Sequence, residues 1–236
     1  MSDFVRQHDR AVAGMFGRIA GFYDLLNHLL SCGVDCYWRR ELSATARIVD
    51  THRFLDLAAG TLDVSFSLRR HHSSCTVLAM DFCPPMLSLG RKKLLRRNTQ
   101  GIIPVSADGK HIPLPDSSVD TVTIAFGIRN ILPRSEALRE MHRVLVPGGR
   151  VCILEFGSGR EKIWGGAYNF YLGKVLPLIG RLISQDSDAY QYLARTIREF
   201  PSARNLALEM EEAGFSHVSY KKLTSGIVCL HMGEKH

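Results

Sequence analysis

The chain has 236 residues, of which 45% are hydrophobic and 22% charged, a composition typical of a globular protein with a sizeable buried core. The net charge of +7 suits an anionic membrane surface or an acidic substrate, but no basic segment shows the interleaved aromatic residues of nucleic-acid binding. We expect neither a membrane-spanning helix nor a signal peptide, because no run of about 18 apolar residues and no apolar N-terminal region occur.

Residues 9–50 are predicted to be helical. From Met15 to Leu30 apolar residues recur at helical spacing, and after a break that contains Gly33 another helix begins near Tyr37. Cys32 and Cys36 beside this break are close enough for a metal pair. No second Cys/His pair with ligand spacing lies nearby, so we expect no metal site. The six cysteines are scattered, as is typical of reduced, mostly buried thiols in a cytosolic protein.

From residue 52 onwards, strand-like and helix-like segments alternate. The predicted strands cover residues 54–57, 76–80, 102–106, 120–126 and 151–156. The predicted helices between them cover residues 64–70, 84–97 and 134–145, the last one stopped by Pro147, Gly148 and Gly149. Strands separated by helix-length segments predict a parallel, doubly wound α/β sheet.

The alternation lapses after residue 157. Residues 158–200 are aromatic-rich and helical, and an amphipathic helix follows over residues 203–213. Two strands are predicted over residues 215–220 and 226–232. Because no helix separates them, we expect them to pair antiparallel.

Residues 54–63 are the stretch around which the rest is organised. An apolar strand ends there in Asp56 and Leu57, and the small residues Ala58, Ala59 and Gly60 precede a helix. Small residues at such a turn let backbone N–H groups approach a ligand, and α/β proteins bind ligands at this edge of the sheet. The alternative interpretation is an ordinary strand-to-helix turn without a ligand.

Motifs along nearly the whole chain, from residue 9 to residue 235, resemble those of one family. They occupy residues 23–27, 38–40, 56–63, 126–130, 143–156, 188–193, 200–201 and 223–228. Their order is similar to that of the ubiquinone/menaquinone biosynthesis C-methyltransferases, which belong to the class I S-adenosylmethionine-dependent methyltransferases.

The resemblance implies a single Rossmann-like domain. Its α/β sheet would have seven mostly parallel strands with an antiparallel last strand and helices on both faces. Residues 1–50 would be a helical N-terminal cap, and residues 51–157 the cofactor-binding core. Residues 158–202 would be a helical substrate lid inserted after the fifth strand, and residues 203–236 the C-terminal helix and strands.

The resemblance also implies S-adenosylmethionine as the cofactor and assigns residues to it. Asp56, Gly60 and Thr61 belong to the first turn, where a helix-start hydroxyl is the alternative role of Thr61. Asp81 ends the second strand, where a carboxylate can accept both ribose hydroxyls or cap the following helix.

Three further cofactor residues follow later strands. Asp108 and Gly109 would face the adenine edge, with an ordinary Asp-Gly turn as the alternative. Ala125 lies where the family often has a serine, so any hydrogen bond from that side chain is missing here.

The reaction implied is methylation of a ring carbon of a polyprenyl hydroquinone. The ring becomes more nucleophilic as a phenol loses its proton. We therefore expect catalysis from alignment and from a group that promotes phenolate formation. Arg129 is the first candidate, as a stabiliser of phenolate charge, and a structural bridge from loop to helix is its alternative. Asn130 could hold a ring oxygen or cap the turn. Tyr23 could face the sulfonium or pack in the core.

The resemblance carries expectations about partners as well. The expected substrate is a polyprenyl quinol, and residues 168–176 are expected to form either a tail-sheathing lid that touches the bilayer or a core helix. We expect a cytoplasmic protein with transient contact at the inner face of the membrane and no nucleic-acid partner. A homodimer, or association with other quinone-biosynthesis enzymes, fits the same resemblance. Methylation of oxygen or nitrogen in another small molecule, or a non-catalytic quinone-binding scaffold, remain alternatives.

Leu62 is unusual for this resemblance, because family members usually have glycine there and at residue 59. A positive φ would strain a leucine, whereas a place within the helix would not. We expect that Leu62 already begins the helix.

Overall fold

The computed structural model describes residues 3–157 and 187–236. The strands are β1 (Arg53–Leu57), β2 (Thr76–Asp81), β3 (Ile102–Ser106), β4 (Val119–Ala125), β5 (Leu145–Phe156), β6 (Ser216–Leu223) and β7 (Val228–Glu234). The helices are α1 (Asp3–Ile19), α2 (Tyr23–Leu30), α3 (Asp35–Thr45), α4 (Asp63–His71), α5 (Pro84–Arg97), α6 (Arg134–Val144), α7 (Ser187–Glu199) and α8 (Ala203–Glu212). Among the described residues, no helix combines the length and the apolar character needed to cross a bilayer.

The strands form one seven-stranded sheet in the order β3-β2-β1-β4-β5-β7-β6. The pairs from β3 to β5 are parallel, while β7 runs antiparallel to both β5 and β6. The predicted mostly parallel sheet with one antiparallel strand is confirmed. The strand order reverses between β1 and β4, and in such sheets ligands bind at the carboxyl ends of the strands beside that reversal.

Helices cover both faces of the sheet because buried strands alternate their side chains between two apolar cores. In β1, Phe54 packs on the side of α3 and α4, and Leu55 packs on the side of α6 and α8. Cys152 and Ile153 of β5 divide between the same two cores. This burial on both faces explains why the parallel strands appear in the sequence as nearly continuous apolar runs.

One predicted boundary is wrong. The segment Pro147-Gly148-Gly149 does not separate a helix from a strand, because α6 ends at Val144 and β5 begins at Leu145. Gly148 adopts φ +76° inside the strand, and the register with β4 shifts between Val119 and Thr121. A glycine in this conformation lets the strand continue through an irregularity.

At the amino end of β4, one carboxylate organises the chain before β1. Asp120 is fully buried, and its oxygens accept hydrogen bonds from the backbone N–H groups of Asp50, Thr51 and His52 at 2.8–3.0 Å. The Thr51 hydroxyl donates to the same carboxylate. Burial alone would raise the pKa of Asp120, but the bonds from Thr51 and Asp50 outweigh it and hold the pKa below its usual range.

The N-terminal helices α1 to α3 are present as predicted, although α1 already begins at Asp3. Of the lid predicted over residues 158–202, residues 158–186, and with them residues 168–176, lie outside the described residues, whereas α7 belongs to the described part. The six cysteines all lie in the described part of the chain as reduced thiols, and Cys75, Cys83, Cys152 and Cys229 are buried, as expected.

Candidate active site

A cleft opens at the carboxyl ends of the parallel strands. Apolar side chains line most of it, with a few polar groups among them such as Asp81, Asp108 and Asn130, as is typical of small-molecule sites. Its floor consists of residues that end or follow four neighbouring strands, namely Leu57, Asp81, Ala107 and Ala125. The strand order reverses at this place, so the fold itself creates the cleft.

Asp81 connects the floor with the first turn. One carboxylate oxygen accepts the Gly60 N–H at 2.7 Å, and the other accepts the Cys83 N–H at 2.7 Å. Burial raises the pKa of Asp81, although these two bonds act in the opposite direction. A carboxylate has about four lone-pair positions, so two N–H donors leave acceptor capacity towards the cleft. Asp81 therefore holds Cys83, the residue that precedes α5, without capping the helix itself, and it can still accept hydroxyl groups.

Small residues bring the ends of β1 and β4 close together. Gly60 has φ +53° and lines the cleft with Ala58 and Gly127. A Cβ atom on Gly127 would lie 2.5 Å from the Cβ of Ala58, so a side chain there would push the two loops apart. The site depends on glycine at residue 127 because of this close approach.

Two predicted cofactor residues lie beneath the cleft and do not line it. Asp56 is buried in β1, where its carboxylate accepts hydrogen bonds from Ser65 at 2.5 Å and Thr123 at 3.0 Å. Burial raises the pKa of Asp56 to about 7. Thr61 is also buried, and its hydroxyl donates to Asp24 of α2 at 2.5 Å. Both side chains support the first turn from below.

The prediction for Leu62 is wrong. Leu62 precedes α4 with φ 74° and ψ 17°, the left-handed conformation that disfavours a branched side chain. The side chain is fully buried and lies against Gly90 of α5, where a Cβ atom would come within 2.5 Å of the Leu62 Cγ. The leucine therefore points between α4 and α5 and does not line the cleft.

The cleft wall beyond β3 carries Asp108, Gly109 and Lys110. One oxygen of the Asp108 carboxylate accepts the backbone N–H of Lys110 at 2.9 Å, as in an Asp-Gly turn, and the other lies 3.8 Å from His111 and 4.0 Å from the Lys110 ammonium. The Lys110 ammonium is buried and pairs with Asp9 of α1 at 2.6 Å, and it also donates to the Leu132 carbonyl at 3.2 Å. The pattern in the sequence did not reveal this lysine.

Helix α1 covers the cleft from outside. Asp9, Val12, Ala13 and Phe16 line it, so the N-terminal cap is part of the site. Apart from the Lys110 pair, His8 of α1 hydrogen-bonds the Asn130 carbonyl at 3.3 Å. Periodicity identified this helix but could not show which part of the core it covers.

Tyr23 and Asn130 both line the cleft, as predicted for residues near the substrate. Tyr23 packs edge-on against Phe16, with ring centroids 6.0 Å apart. The Asn130 side-chain oxygen accepts the Tyr192 hydroxyl at 3.1 Å, which orients the amide. Burial raises the pKa of Tyr23, and the positive charge of Arg129 acts in the opposite direction. Tyr192 of α7 is thus a neighbour of the site that the sequence analysis missed.

Arg129 lies under the loop after β4 and does not line the cleft. Its guanidinium pairs with the buried Glu155 at 2.7 Å and donates to the Phe126 carbonyl at 2.5 Å. The ring of Phe156 stacks below it at 5.5 Å. Within the described part of the chain its Nε is buried without a hydrogen-bond partner. The arginine thus bridges a loop and a strand, and its catalytic role stays a prediction.

One group of metal-type ligands occurs among the described residues. His28, Asp35 and Cys36 lie with their ligand atoms within 4.8 Å of one another, and Cys32 does not belong to this group. The Asp35 carboxylate already accepts hydrogen bonds from His28, Ser31 and Arg39. These bonds account for the cluster without an ion.

Nearly the whole amino-acid sequence is similar to one protein family. A model of the ubiE/COQ5 methyltransferase family matches residues 4–235. A curated relative from Pseudoalteromonas translucida, named ubiquinone/menaquinone biosynthesis C-methyltransferase UbiE, is 40% identical over 98% of this chain and 94% of its own length. A relative of the same name from Pseudomonas entomophila is 43% identical over 97% and 90%.

Solved structures share the fold at much lower identity. A methyltransferase of Thermotoga maritima that depends on S-adenosylmethionine (SAM) is 17% identical, with a TM-score of 0.65 over 94% of this chain and 99% of that one. Phosphoethanolamine N-methyltransferase 2 of Haemonchus contortus, solved with S-adenosyl-L-methionine, is 12% identical. Its TM-score is 0.62 over 82% of this chain and 51% of that one. These two likenesses concern the fold alone.

Proposed function

The chain belongs to the ubiE/COQ5 methyltransferase family and is a SAM-dependent methyltransferase, and from this membership we propose that it methylates a ring carbon of a polyprenyl hydroquinone. The observation that carries the proposal is about 40% identity, over nearly the whole chain, to relatives named for C-methylation in quinone biosynthesis. The proposed reactions convert demethylmenaquinol to menaquinol, methylate 2-polyprenyl-6-methoxy-1,4-benzoquinol, or both.

The residues of the cleft fit a bound nucleoside with an amino-acid tail. We propose that Asp81 accepts the ribose hydroxyls, while Asp108 and Gly109 hold the adenine edge. Gly60 and Ala125 would form the floor, and Asp56 and Thr61 would hold the turn from below. The bound cofactor supplies an electrophilic methyl group. The support for this assignment is that Asp81 already receives two N–H donors and keeps acceptor capacity towards the cleft.

On the substrate side, we propose that the Asn130 amide holds a ring oxygen and that Tyr23 closes the wall beside the reacting methyl group. Arg129 would act through the loop it anchors and through its positive charge, which favours a phenolate nearby. The bond from Tyr192 to Asn130 and the pair of Arg129 with Glu155 support these roles. A fixed amide and a fixed loop provide the alignment that such a transfer requires.

The proposal includes a transient contact with a membrane surface, because a polyprenyl quinol is held in a bilayer. A homodimer or contact with other quinone-biosynthesis enzymes is a further expectation. A Leu62 side chain that obstructed the cofactor turn would have favoured the alternative of a non-catalytic scaffold. With the leucine packed on Gly90 instead, that argument no longer supports a scaffold.

Methyl transfer from isotopically labelled SAM tests the function. We expect the label on a ring carbon of demethylmenaquinol or of the benzoquinol, while fully methylated menaquinol accepts none. Asp81→Asn should lower transfer at limiting cofactor. Asp116→Asn is the matched control, because this exposed carboxylate pairs with Arg143 and is not among the residues that line the cleft.

The position of the label decides between the alternatives. Label on an oxygen or nitrogen atom would replace the proposal with a heteroatom methyltransferase. Retained binding of cofactor and quinol, without labelled product from demethylmenaquinol or the benzoquinol, would favour the scaffold.

A further inference from the structure

Helix α2 exposes an apolar face to solvent. Phe22, which directly precedes the helix, is 48% exposed, and Leu25 and Leu29 are 57% and 48% exposed. A spacing of three and four residues places these side chains on one side of a helix. Large apolar side chains exposed together mark interaction sites more often than single ones do. We call these three residues the α2 face.

The same helix forms part of the cleft wall. Tyr23, the neighbour of Phe22, lines the cleft, while Leu26 is buried against α1 and α7. Phe82 also lines the cleft and is itself largely exposed. The α2 face is therefore the outer side of a helix whose inner side borders the proposed reaction site.

A basic helix lies beside the α2 face. Asp24 of α2 pairs with Lys93 of α5 at 2.6 Å, which fixes the two helices next to each other. From Pro84 to Arg97, α5 contains Arg91, Lys92, Arg96 and Arg97 besides Lys93 and no acidic residue. Lys92 and Arg96 are exposed.

An apolar stripe flanked by lysine and arginine is the pattern that lies in the interface of an anionic bilayer. We propose that the α2 face, with the basic surface of α5, docks on an anionic phospholipid bilayer and delivers the cleft to a membrane-held substrate. The proposal rests on the proposed function, because the isoprenoid tail holds a polyprenyl quinol in the bilayer and the ring must pass from there into the cleft. Contact with lipid at α2 shortens that path to the thickness of one helix.

Flotation of the full chain with vesicles tests the docking. We expect binding to vesicles of phosphatidylglycerol and phosphatidylethanolamine that falls with salt and is weak for phosphatidylcholine. The triple variant Phe22→Ser, Leu25→Ser and Leu29→Ser should bind at least ~10-fold less tightly, since it removes apolar area from the interface. The matched control replaces comparably exposed residues elsewhere, Ile103, Leu208 and Tyr220, by serine and should stay within ~2-fold.

Two substrates separate docking from catalysis. With a short-chain, water-soluble quinol the triple variant should turn over normally, whereas with a long-chain quinol in vesicles its rate should fall about as much as its binding. Equal flotation of the triple variant and the wild type would overturn the docking proposal. A dimer dispersed by the three serines, without vesicle binding, would also overturn it. If the wild type methylates neither quinol, the proposed function fails while vesicle binding still reports on the surface.

Discussion

The two ends of the sheet use their carboxylates in opposite ways. At the amino end of β4, Asp120 is fully buried and accepts hydrogen bonds from three backbone N–H groups and a hydroxyl, and its pKa is lowered. At the carboxyl ends, the hydrogen bonds that Asp56 and Asp81 accept do not offset the effect of burial, and their pKa values are raised.

The difference shows where this fold keeps unused bonding capacity. A carboxylate whose lone pairs are filled by backbone donors stabilises a chain crossing and has little left for a ligand. A carboxylate with a raised pKa is under-solvated, so a ligand that donates hydrogen bonds improves its surroundings. The amino end therefore serves stability, and the carboxyl end keeps acceptors for binding.

The largest effect is expected at Glu155, a buried carboxylate near the carboxyl end of β5 that pairs with the Arg129 guanidinium. Arg129→Ala leaves the buried Glu155 without its partner, so the free energy of unfolding should fall by about 3–5 kcal/mol in denaturant titrations. Turnover should fall at least ~10-fold while the cofactor Kd changes little, since the loop after β4 loses its anchor.

The double variant Arg129→Ala with Glu155→Gln serves as control, because it removes the unpaired charge. It should recover at least half of the lost stability. Normal turnover of Arg129→Ala at a temperature where it is folded would disprove a role of this arginine in the reaction.

The second test removes a hydrogen-bond acceptor at the amino end of the sheet. Asp120→Asn replaces one acceptor oxygen by a donor facing backbone N–H groups, and we expect a loss of about 2–3 kcal/mol in unfolding free energy. The cofactor Kd measured by calorimetry should stay within ~2-fold, because Asp120 lies at the other end of the sheet. A large change in Kd would mean that the two ends are coupled.

Asp81→Asn is the counterpart at the carboxyl end. We expect the cofactor Kd to rise by about 10- to 100-fold, as two hydrogen bonds to a charged acceptor weaken. Stability should fall by about 1–2 kcal/mol, because the amide nitrogen of asparagine cannot accept one of the two backbone N–H bonds that Asp81 holds. Unchanged calorimetric affinity would remove Asp81 from the proposed ribose site.

The last test concerns pH and Asp56. The pKa of Asp56 is about 7 in the folded protein, against an ordinary value of 3.8, so the folded state binds this proton more tightly than the unfolded chain does. The resulting stabilisation is complete below pH ~4 and is lost as the pH rises towards and through ~7. The slope is at most ~1.4 kcal/mol per pH unit.

Asp56→Asn should remove this slope in thermal or denaturant unfolding between pH ~4 and ~7. Asp120→Asn should instead remove a slope of opposite sign at acid pH. The lowered pKa of Asp120 stabilises the folded state at pH values above the unfolded pKa, and this stabilisation is lost as the pH falls. A slope that persists in Asp56→Asn would assign it to other groups.

Much of the architecture was predictable because local chemistry and burial agree along the alternating part of the chain. The parallel strands are apolar on both faces, and Pro84 and Asp81 mark turns whose chemistry is local. The residues at strand ends follow from the fold, which explains why the sequence could place Gly60, Asp81, Asp108, Gly109 and Ala125 at the cleft. Their contact with a cofactor stays a prediction.

The misses depend on contacts between distant segments. Lys110 is buried only because α1 brings Asp9 to it, and Arg129 turns from the cleft only because Glu155 lies below. The boundary error at Gly148 has a different cause, since a glycine at φ +76° can end a helix or sit inside a strand equally well.

Leu62 and Gly90 also constrain the order in which these two positions can change. A Cβ atom at residue 90 would lie 2.5 Å from the Leu62 Cγ, so any side chain there is incompatible with the leucine in place. Glycine at residue 90 is thus a permissive background in which leucine could replace a glycine at the left-handed residue 62. Once leucine fills the space, a change to alanine at residue 90 requires that residue 62 change first. The pair is therefore epistatic, and substitutions at one position have to be interpreted together with the other.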